Sequence, residues 1–209
     1  MVDLPPNAVQ ANQGSALKYL DVTHMKDYYG SAPSKVPGKA VMNMFVCAPR
    51  ALLPNPSSRM GALFPIEVLE RHPYTTQTFI PFGISPLEAQ RARYLVIVAP
   101  SLPPSSADAE LPVPPSSVDE GSLPGRGLPD LRRIKAFMAN GSQAVTYGAG
   151  TWHAPMVVVG EKPIDFVVVQ FANGVGIEDC QETAARKGGC AQLVVAIPKV
   201  GLGPKESRL

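Results

Sequence analysis

The chain has 209 residues, a net charge of +2, 23 prolines, 45% hydrophobic residues and only 17% charged residues. This balance indicates a folded, loop-rich chain forming one domain over residues 1–209, and it argues against disorder and against nucleic acid as a partner. No apolar run approaches the roughly 20 residues that a membrane helix needs, so no membrane partner is predicted.

The first 40 residues are weakly patterned, with a possible strand at Ala16–Val22 and a histidine, His24, that is predicted to lie at the surface. From Ala40 onward, apolar runs of strand length recur between Gly, Pro and Asn-Gly signals, which is typical of an all-β domain. The predicted strands are Ala40–Cys47, Leu63–Leu69, Thr78–Phe82, Arg91–Ala99, Ile134–Ala139, Gln143–Tyr147, Ala154–Val159, Ile164–Phe171 and Ala191–Ile197.

Two of the turns between these strands predict hairpins. One turn is Asn140-Gly141, and the other is the segment 160–163, Gly-Glu-Lys-Pro. The segment Ile177–Arg186 is predicted to hold a short helix. Many short strands at turn-punctuated spacing predict a mainly β fold, a β-barrel or jelly roll with a few short helices.

The stretch from Pro100 to Pro129 differs from its surroundings, because Pro, Ser and Gly replace the apolar runs. Proline fixes φ and lacks an N–H donor, so neither helix nor strand persists in such a segment. We therefore predict a long surface loop or disordered insertion within one domain.

Two polar stretches carry the candidate chemistry. Glu70 and His72 are two residues apart, so on a strand both side chains point to the same face. Gln77 follows His72 by five residues, an odd spacing that requires a turn or bulge around Pro73-Tyr74 to bring it to the same side. The second stretch contains Tyr147 and His153. Histidine serves proton transfer or metal binding near neutral pH.

This order resembles the first motif of cupins, in which H-x-H, a carboxylate and a later histidine converge inside a small β-barrel. Glu70 stands at the first histidine's place, Gln77 at the carboxylate's place, and His153 supplies the later histidine. More specifically, three blocks between about Val41 and Cys180 resemble the ureidoglycolate lyase (ureidoglycolate hydrolase) family. The blocks are Leu69-Glu-Arg-His-Pro-x-x-x-Gln77-x-Phe-Ile-Pro81, Ala136-Phe-x-x-Asn140-Gly141-x-Gln143-x-Val-x-Tyr147 and Trp152-His153-x-Pro155.

The resemblance implies a cupin-like β-barrel and a carbon–nitrogen lyase that cleaves (S)-ureidoglycolate to glyoxylate and urea. The implied proton-transfer residues are His72, His153 and Glu70. The side chains expected to orient the substrate are Gln77, Tyr147, Arg50 and Lys135. A divalent metal ion is a possible cofactor, with His72, Gln77, His153 and Glu70 as its ligands. Glutamine in place of a carboxylate removes a negative charge and weakens such a site.

Two alternatives stay open at this point. An amidohydrolase acting on the same substrate would release ammonia, but it needs an activated water and hence a firmly bound metal. A cupin-like barrel that only binds a small ligand is the second alternative. The resemblance also implies a homodimer, since such barrels leave a sheet edge and an apolar outer face.

The two ends of the chain and its cysteines add three expectations. The Ala-Phe-x-x-Tyr-Gly segment with which the family usually begins is not found, so the N-terminal edge of the barrel is expected to be built differently or to be absent. Ser207-Arg208-Leu209 resembles the tripeptide that directs proteins to peroxisomes, with the cytoplasm as the other expected location. Three cysteines without metal-like spacing, Cys47, Cys180 and Cys190, indicate reduced thiols in an intracellular protein.

Overall fold

The structure, a computed structural model, describes residues 7–57, 61–119, 121, 123–185 and 192–198. Within these ranges the chain is mainly β. The strands are β1 (Ala8–Ala11), β2 (Ala16–Tyr19), β3 (Lys39–Cys47), β4 (Leu53–Pro54), β5 (Gly61–Pro65), β6 (Val68–Arg71), β7 (Gln77–Phe82), β8 (Arg93–Ala99), β9 (Lys135–Asn140), β10 (Val145–Tyr147), β11 (Trp152–His153), β12 (Val157–Val158), β13 (Ile164–Ala172), β14 (Gln181–Ala184) and β15 (Val194–Pro198). The helices are α1 (Pro86–Ala89) and α2 (Gly176–Asp179), and 3₁₀ turns span Asn12–Gly14, Tyr29–Ser31, Ser106–Asp108 and Ser116–Val118.

Two sheets enclose the first hydrophobic core. One has four strands in the order β10-β7-β13-β3, and the other has the order β12-β8-β11-β6-β14 with β9 on the far side of β8. Aromatic and branched side chains from both sheets pack against one another, among them Phe79 and Phe166 from the first and Tyr94 and Val96 from the second. Residues directly opposite in antiparallel strands project to the same face, so whole rows of side chains enter this interlayer together.

The opposite face of the six-stranded sheet carries a second core. Leu69, Ile97 and Trp152 pack there against Phe64 and Ile197 of a three-stranded sheet in the order β15-β5-β4. The six-stranded sheet is therefore the middle layer, and its burial on both faces explains why β8 reads as a continuous apolar run rather than as an alternating one.

Most predicted strands are confirmed with small shifts of their bounds, but the strand predicted at Leu63–Leu69 is wrong. That segment forms β5 and β6, which belong to different sheets. Pro65 ends β5, and a proline has no N–H with which to continue the ladder. The short helix predicted within Ile177–Arg186 is confirmed in part, as α2, but β14 follows it directly and pairs with β6.

Both predicted hairpins are wrong. β9 pairs with β8 while β10 pairs with β7, so the turn at Asn140-Gly141 joins strands of different sheets. β12 pairs with β8 while β13 pairs with β3 and β7, so the turn at residues 160–163 does the same. The chain thus passes repeatedly from one facing sheet to the other, and this alternation brings distant polar residues into one interlayer.

The segment from Pro100 to Pro129 lacks strands among its described residues and is held on the middle sheet by Arg71. Arg71 donates hydrogen bonds to the carbonyl oxygens of Gly125, Arg126 and Gly127. It also stacks over the Trp152 ring, with the guanidinium carbon 4.4 Å from the ring centroid. A Cβ at position 127 would lie 1.7 Å from the Leu102 carbonyl oxygen, so only glycine fits there. The insertion is an anchored loop at these residues, which rules out the disordered form of the prediction for them.

The N-terminal part of the chain contributes to the fold. The predicted strand at Ala16–Val22 is confirmed as β2, which pairs with β1. Tyr29 is fully buried, packs against Tyr74 and donates a hydrogen bond to the Asp179 carboxylate.

Three features bear on the remaining expectations. His24 is exposed, as predicted. Cys47 and Cys180 are free thiols, whereas Cys190 and the tripeptide 207–209 lie outside the described residues, so the peroxisomal assignment stays a prediction. In the described part of the chain, no helix has the length and apolar character that crossing a membrane requires.

Candidate active site

The motif between Glu70 and Gln77 runs from one facing sheet to the other. Glu70 lies near the end of β6, His72 follows it, Pro73 and Tyr74 form a turn, and Gln77 begins β7. The odd spacing between His72 and Gln77 therefore reflects a change of sheet. The predicted turn is confirmed, and it places the three polar side chains on two walls of one interlayer rather than on one strand face.

His153 completes the six-stranded wall. It lies directly opposite Glu70 in neighbouring strands, and its Nε2 is 3.6 Å from Glu70 Oε1. The ring of His72 lies beside it, with ring centroids 5.6 Å apart. The two histidines are 8% and 1% exposed, so the site is nearly closed to solvent.

Backbone carbonyls determine which nitrogen of each imidazole carries the proton. Nδ1 of His72 donates to the carbonyl oxygen of Asp179 at 2.6 Å, and Nδ1 of His153 donates to that of Thr151 at 2.8 Å. Because a carbonyl oxygen only accepts, both rings hold their proton on Nδ1. Each Nε2 lone pair therefore faces the interlayer, where neither has a partner among the described residues.

Burial redistributes the protons of the site. It raises the pKa of the Glu70 carboxyl to about 7, with a smaller contribution from the neighbouring charge of Glu182. Burial lowers the pKa of His153 to about 3, helped by its proximity to His72, and it also lowers the pKa of His72. At neutral pH the Glu70 carboxyl therefore keeps its proton in a large share of the molecules, while the imidazoles are neutral acceptors.

The four-stranded wall supplies amide and phenol groups. Gln77 lies between Tyr147 and Gln170 in a row across three neighbouring strands. The Tyr147 ring stacks on His153, with centroids 3.9 Å apart, and this contact connects the two walls. Gln77 Oε1 and the Tyr147 hydroxyl are buried without partners among the described residues. Burial raises the pKa of Tyr147, so its hydroxyl remains a hydrogen-bond donor.

The same groups fit a divalent cation. One ligand atom from each of Glu70, His72 and His153 lies within 4.8 Å of the others. Each imidazole is oriented by a carbonyl acceptor on its far nitrogen, the arrangement that metal-binding histidines use. Two neutral nitrogens and a carboxylate suit several divalent ions, and Gln77 Oε1 adds an uncharged oxygen.

Comparison with known proteins agrees with this arrangement. A family model described as Ureidoglycolate lyase matches residues 2–191. The chain is 38% identical over 173 residues to the ureidoglycolate lyase of Schizosaccharomyces pombe, and the aligned region covers 83% of this chain and 75% of the relative. It is 37% identical over 163 residues to that of Saccharomyces cerevisiae, covering 76% and 67%, and 36% identical over 117 residues to that of Pseudomonas aeruginosa, covering 56% and 49%. The chain belongs to the ureidoglycolate lyase family.

Family membership covers the N-terminal segment as well. Since the match begins at residue 2, it favours an N-terminal edge that is built differently over the alternative that this edge is absent. The buried Tyr29, followed by Gly30, lies in that segment and packs on Tyr74 of the first motif block. The Asp179 carboxylate accepts a hydrogen bond from Tyr29, and the Asp179 carbonyl oxygen accepts one from His72. The N-terminal segment therefore contacts the residue that orients His72.

Two predicted substrate-binding residues stand apart from this centre. Lys135 is exposed. It lies opposite Val98, which in turn lies opposite His153, so Lys135 and His153 belong to one row across three strands and are about 10 Å apart. Arg50 is exposed, and its guanidinium carbon lies 5.5 Å from the centroid of the Phe64 ring. Arg50 borders a separate cavity of about 140 Å³ beside Val68, and no contact joins it to Glu70 or to either site histidine among the described residues.

A larger groove of about 1030 Å³ lies away from the motif. It is lined in part by Arg93, at the opposite end of β8 from Val98, and by Lys162, which is paired with Glu88. Size alone would favour this groove as a ligand site. Three buried acceptors without a hydrogen-bond partner among the described residues, His72 Nε2, His153 Nε2 and Gln77 Oε1, lie in the interlayer beside the Glu70 carboxyl, whose pKa is raised, and we assign the chemistry there.

Three further residues near the site were missed from sequence. Gln170 is the one polar side chain in the apolar run 166–172 of β13, and that isolated position is the signal that could have identified it. Cys180 and Glu182 form a second group with Glu70, their ligand atoms within 4.8 Å of one another. Their proximity depends on β14, which the sequence pattern presented as a helix, so no signal was available.

The raised pKa of Glu70 predicts a pH-dependent stability. Because the folded chain binds this proton more tightly than the unfolded chain does, the stabilisation is complete below about pH 4 and is lost as pH rises through about 7. Glu70→Gln removes the titration. We expect the stability of this variant relative to the wild type to rise by about 3 kcal/mol between pH 4 and pH 9, measured by urea unfolding with a chelator present.

The exposed Glu161→Gln is the matched control for that experiment, and its difference from the wild type should stay constant across the same range. A constant difference for Glu70→Gln as well would show that the Glu70 carboxyl has an ordinary pKa in the folded chain.

Because Gln77 is uncharged, we predict that the site binds divalent cations more weakly than it would with a carboxylate at position 77. In Gln77→Glu a carboxylate joins Glu70 and the two imidazoles, and we expect Co²⁺ or Ni²⁺ to bind about tenfold or more tightly than to the wild type, measured by calorimetry. Gln143→Glu adds the same charge at an exposed position and should leave affinity near the wild-type value. Equal affinities for both variants would remove Gln77 from the ligand set.

Proposed function

We propose that this chain is a carbon–nitrogen lyase that cleaves (S)-ureidoglycolate to glyoxylate and urea. The observation that carries the proposal is the pairing of a proton-bearing carboxyl with a buried proton acceptor. Glu70, with a pKa of about 7, lies 3.6 Å from the unpartnered Nε2 of His153. Membership of the ureidoglycolate lyase family and relatives of that name at 37–38% identity support the same reading.

The reaction requires two proton transfers, one from the hydroxyl oxygen and one to the ureido nitrogen that are bonded to the same carbon. That carbon bears a hydroxyl, a carboxylate and a ureido nitrogen. When a base removes the hydroxyl proton, the oxygen forms the aldehyde of glyoxylate as the C–N bond breaks. The electron pair of that bond leaves with the nitrogen, which takes a proton and departs as urea. No water is consumed and no ammonia is formed.

We assign the acid role to Glu70, whose pKa of about 7 lets its carboxyl both hold and release a proton near neutral pH, and place it against the departing nitrogen. The neutral Nε2 atoms of His72 and His153 are the acceptors for the hydroxyl proton. Tyr147 donates a hydrogen bond to substrate oxygen, and Gln77 accepts one from the ureido group. The nearly closed interlayer keeps competing water away from these transfers.

A divalent cation, if present, would be held by His72, His153, Glu70 and Gln77, and it would polarise substrate oxygens as a Lewis acid. It would draw on the same Nε2 lone pairs that otherwise accept a proton. Activity after chelator treatment separates the two uses, because a metal-dependent enzyme loses turnover and regains it when the ion is restored.

We propose that the substrate carboxylate points toward Lys135. This side chain is in the same row as His153 on the six-stranded sheet, whereas Gln77 and Tyr147 belong to the opposite wall. A cation at the rim suits a charged group that remains partly hydrated. Arg50, beside its separate cavity, is the alternative cation for the same carboxylate.

We further propose that the two facing sheets form a cupin-like double-stranded β-helix. Two observations support this proposal. Strands consecutive in sequence lie in opposite sheets, as in β6–β7, β9–β10 and β12–β13. The metal-compatible residues are also in the interlayer, where cupins have theirs.

We propose a homodimer that covers the outer face of the four-stranded sheet. Among the described strands, β3 pairs only with β13 and so has a free edge. Apolar side chains on this face are 42–72% exposed, and they are Met42, Met44, Val46, Ile80 and Phe82. A second copy of the chain would bury these groups and pair the edge. Light scattering of the wild type and of a Met42→Lys, Val46→Lys variant tests this, with a shift from dimer to monomer expected.

Product analysis tests the proposed activity. Purified protein is incubated with racemic ureidoglycolate, and glyoxylate, urea and ammonia are quantified. We expect urea to equal glyoxylate, no ammonia, and conversion that stops at half of the substrate. Ammonia in place of urea would assign the chain as an amidohydrolase, and binding without turnover under all metal conditions would leave a non-catalytic ligand-binding barrel.

A further inference from the structure

The Gln77 side chain is held by a neighbour that the sequence motif does not include. Gln170 lies directly opposite Gln77 in β13, and Gln77 Nε2 donates a hydrogen bond to Gln170 Oε1 at 2.7 Å. Gln77 is 4% exposed, so its amide has little freedom to exchange partners with water. One of the two N–H donors of that nitrogen is thereby committed to Gln170, and this fixes which end of the amide faces β13.

This contact leaves the other end of the amide for the site. Gln77 Oε1 is buried without a partner among the described residues, and the next side chain in its row is Tyr147, which stacks on His153. A buried carbonyl oxygen without a donor is costly, and it is satisfied by a ligand that brings an N–H. A ligand carboxylate in the position of that N–H would place one acceptor oxygen against another, Gln77 Oε1. Neither oxygen would then have a hydrogen-bond donor.

We propose that Gln170 is a positioning residue that holds the Gln77 amide with its oxygen toward the ligand, and so makes this wall specific for an N–H donor of the urea or primary amide class. The proposal rests on the function proposed above only in taking that donor to be the ureido group of the substrate. It orients the substrate with its ureido end on the four-stranded sheet and its carboxylate on the six-stranded sheet.

Sites built around a buried hydrogen bond discriminate strongly, since the wrong ligand leaves the site's own polar group unpaired. The stereochemical consequence is direct. With the two ends of the substrate assigned to opposite walls, its hydroxyl can meet the Nε2 atoms on the Glu70 side for one enantiomer only.

Two substitutions of Gln170 separate positioning from packing. Gln170→Glu keeps an oxygen that accepts from Gln77 Nε2 in either protonation state of the carboxyl. Gln170→Met keeps the approximate shape but has no such acceptor. The exposed Gln10→Met is the matched control, and a ¹H–¹⁵N correlation spectrum of each variant establishes that it is folded.

The readout is binding of urea and of acetate to the full chain, followed by NMR titration, together with the side-chain amide signal of Gln77. In the wild type, Gln170→Glu and Gln10→Met we expect urea, and not acetate, to shift the Gln77 side-chain amide signal, and we expect that amide to exchange slowly. Gln170→Met should bind urea about tenfold more weakly and lose the protection of that amide.

Unchanged urea binding in Gln170→Met would overturn the proposal, as would a wild type whose Gln77 side-chain amide signal shifts with acetate rather than with urea, because the amide would then present its N–H to the site. Neither result depends on turnover. A chain that binds urea as expected but does not cleave ureidoglycolate would contradict the proposed function and leave this inference standing.

Discussion

Replacing His153 with alanine is expected to lower kcat/KM for ureidoglycolate by about 10²–10⁴-fold, and His72→Ala by a similar factor. Each change removes one of the two Nε2 lone pairs that face the Glu70 carboxyl. The measurement is the initial rate of glyoxylate release under saturating and limiting substrate. If the two imidazoles act as one unit, the double variant should lose little more than either single variant.

The third histidine supplies the control for this experiment. His24 is exposed and distant from the motif in sequence, and His24→Ala should retain the wild-type rate. Thermal unfolding of each variant guards against loss of structure, because His153 stacks on Tyr147 and its removal leaves a space in the interlayer. Full activity in folded His72→Ala and His153→Ala would refute the assignment of the proton acceptors.

Replacing Arg71 with methionine is expected to destabilise the fold by about 3–5 kcal/mol, which corresponds to a fall of about 10 °C in Tm. Arg71 is fully buried, and it satisfies three carbonyl oxygens of the insertion and Oε1 of Gln181. Burial lowers the pKa of Arg71 to about 10, so the side chain remains protonated at neutral pH. Methionine fills the space but removes the Arg71 donors from Gln181 Oε1 and from the Gly125 and Arg126 carbonyl oxygens, while the Gly127 carbonyl oxygen keeps its hydrogen bond from Trp152 Nε1.

Arg71→Lys tests the geometry of this anchor. A lysine keeps the charge but cannot direct a planar fork at four acceptors, so we expect an intermediate loss. The exposed Arg133→Met is the matched control and should change stability by less than about 0.5 kcal/mol. A loss below about 1 kcal/mol in Arg71→Met would mean that the insertion is held by other contacts.

Local patterns in the sequence predict most of the strands and single out polar residues that meet in the interlayer. The apolar runs of β3, β8 and β13 are recognisable because burial excludes polar side chains from them. Glu70 and His72 share a short motif, and the Trp152-His153 block identifies the second histidine. These residues meet because β11 pairs with β6, and the family resemblance already implied that meeting.

Pairing between strands could not be read from the same patterns. The turn at Asn140-Gly141 looks like a hairpin turn because its local chemistry is the same whether the next strand pairs with β9 or crosses to the opposite sheet. The spacing of Gln77 is odd for the same reason, since the chain changes sheet before it. Side-chain periodicity assigns residues to a face only within one continuous strand. Because β6 ends at Arg71 and β7 begins at Gln77, periodicity does not relate the two sides of the motif.

The two arginines illustrate what a single sequence leaves undetermined. Arg50 was predicted to bind the substrate carboxylate from its place at a strand end, yet the structure places it beside Phe64 in a separate cavity. Arg71 lies within the motif and carries no predicted role, although it anchors the insertion through three carbonyl oxygens and also donates to Gln181 of β14. Which arginine is buried depends on long-range packing around Trp152, and that packing leaves no local signature.

The most direct test of the proposed site is a crystal structure of the full chain with oxalurate, a stable analogue in which an amide carbonyl replaces the carbinol CH(OH) of ureidoglycolate. We predict that its ureido N–H groups meet Gln77 Oε1 and that this carbonyl oxygen accepts a hydrogen bond from the protonated Glu70 carboxyl. Oxalurate bound in the groove beside Arg93 and Lys162, with the interlayer unliganded, would contradict this assignment.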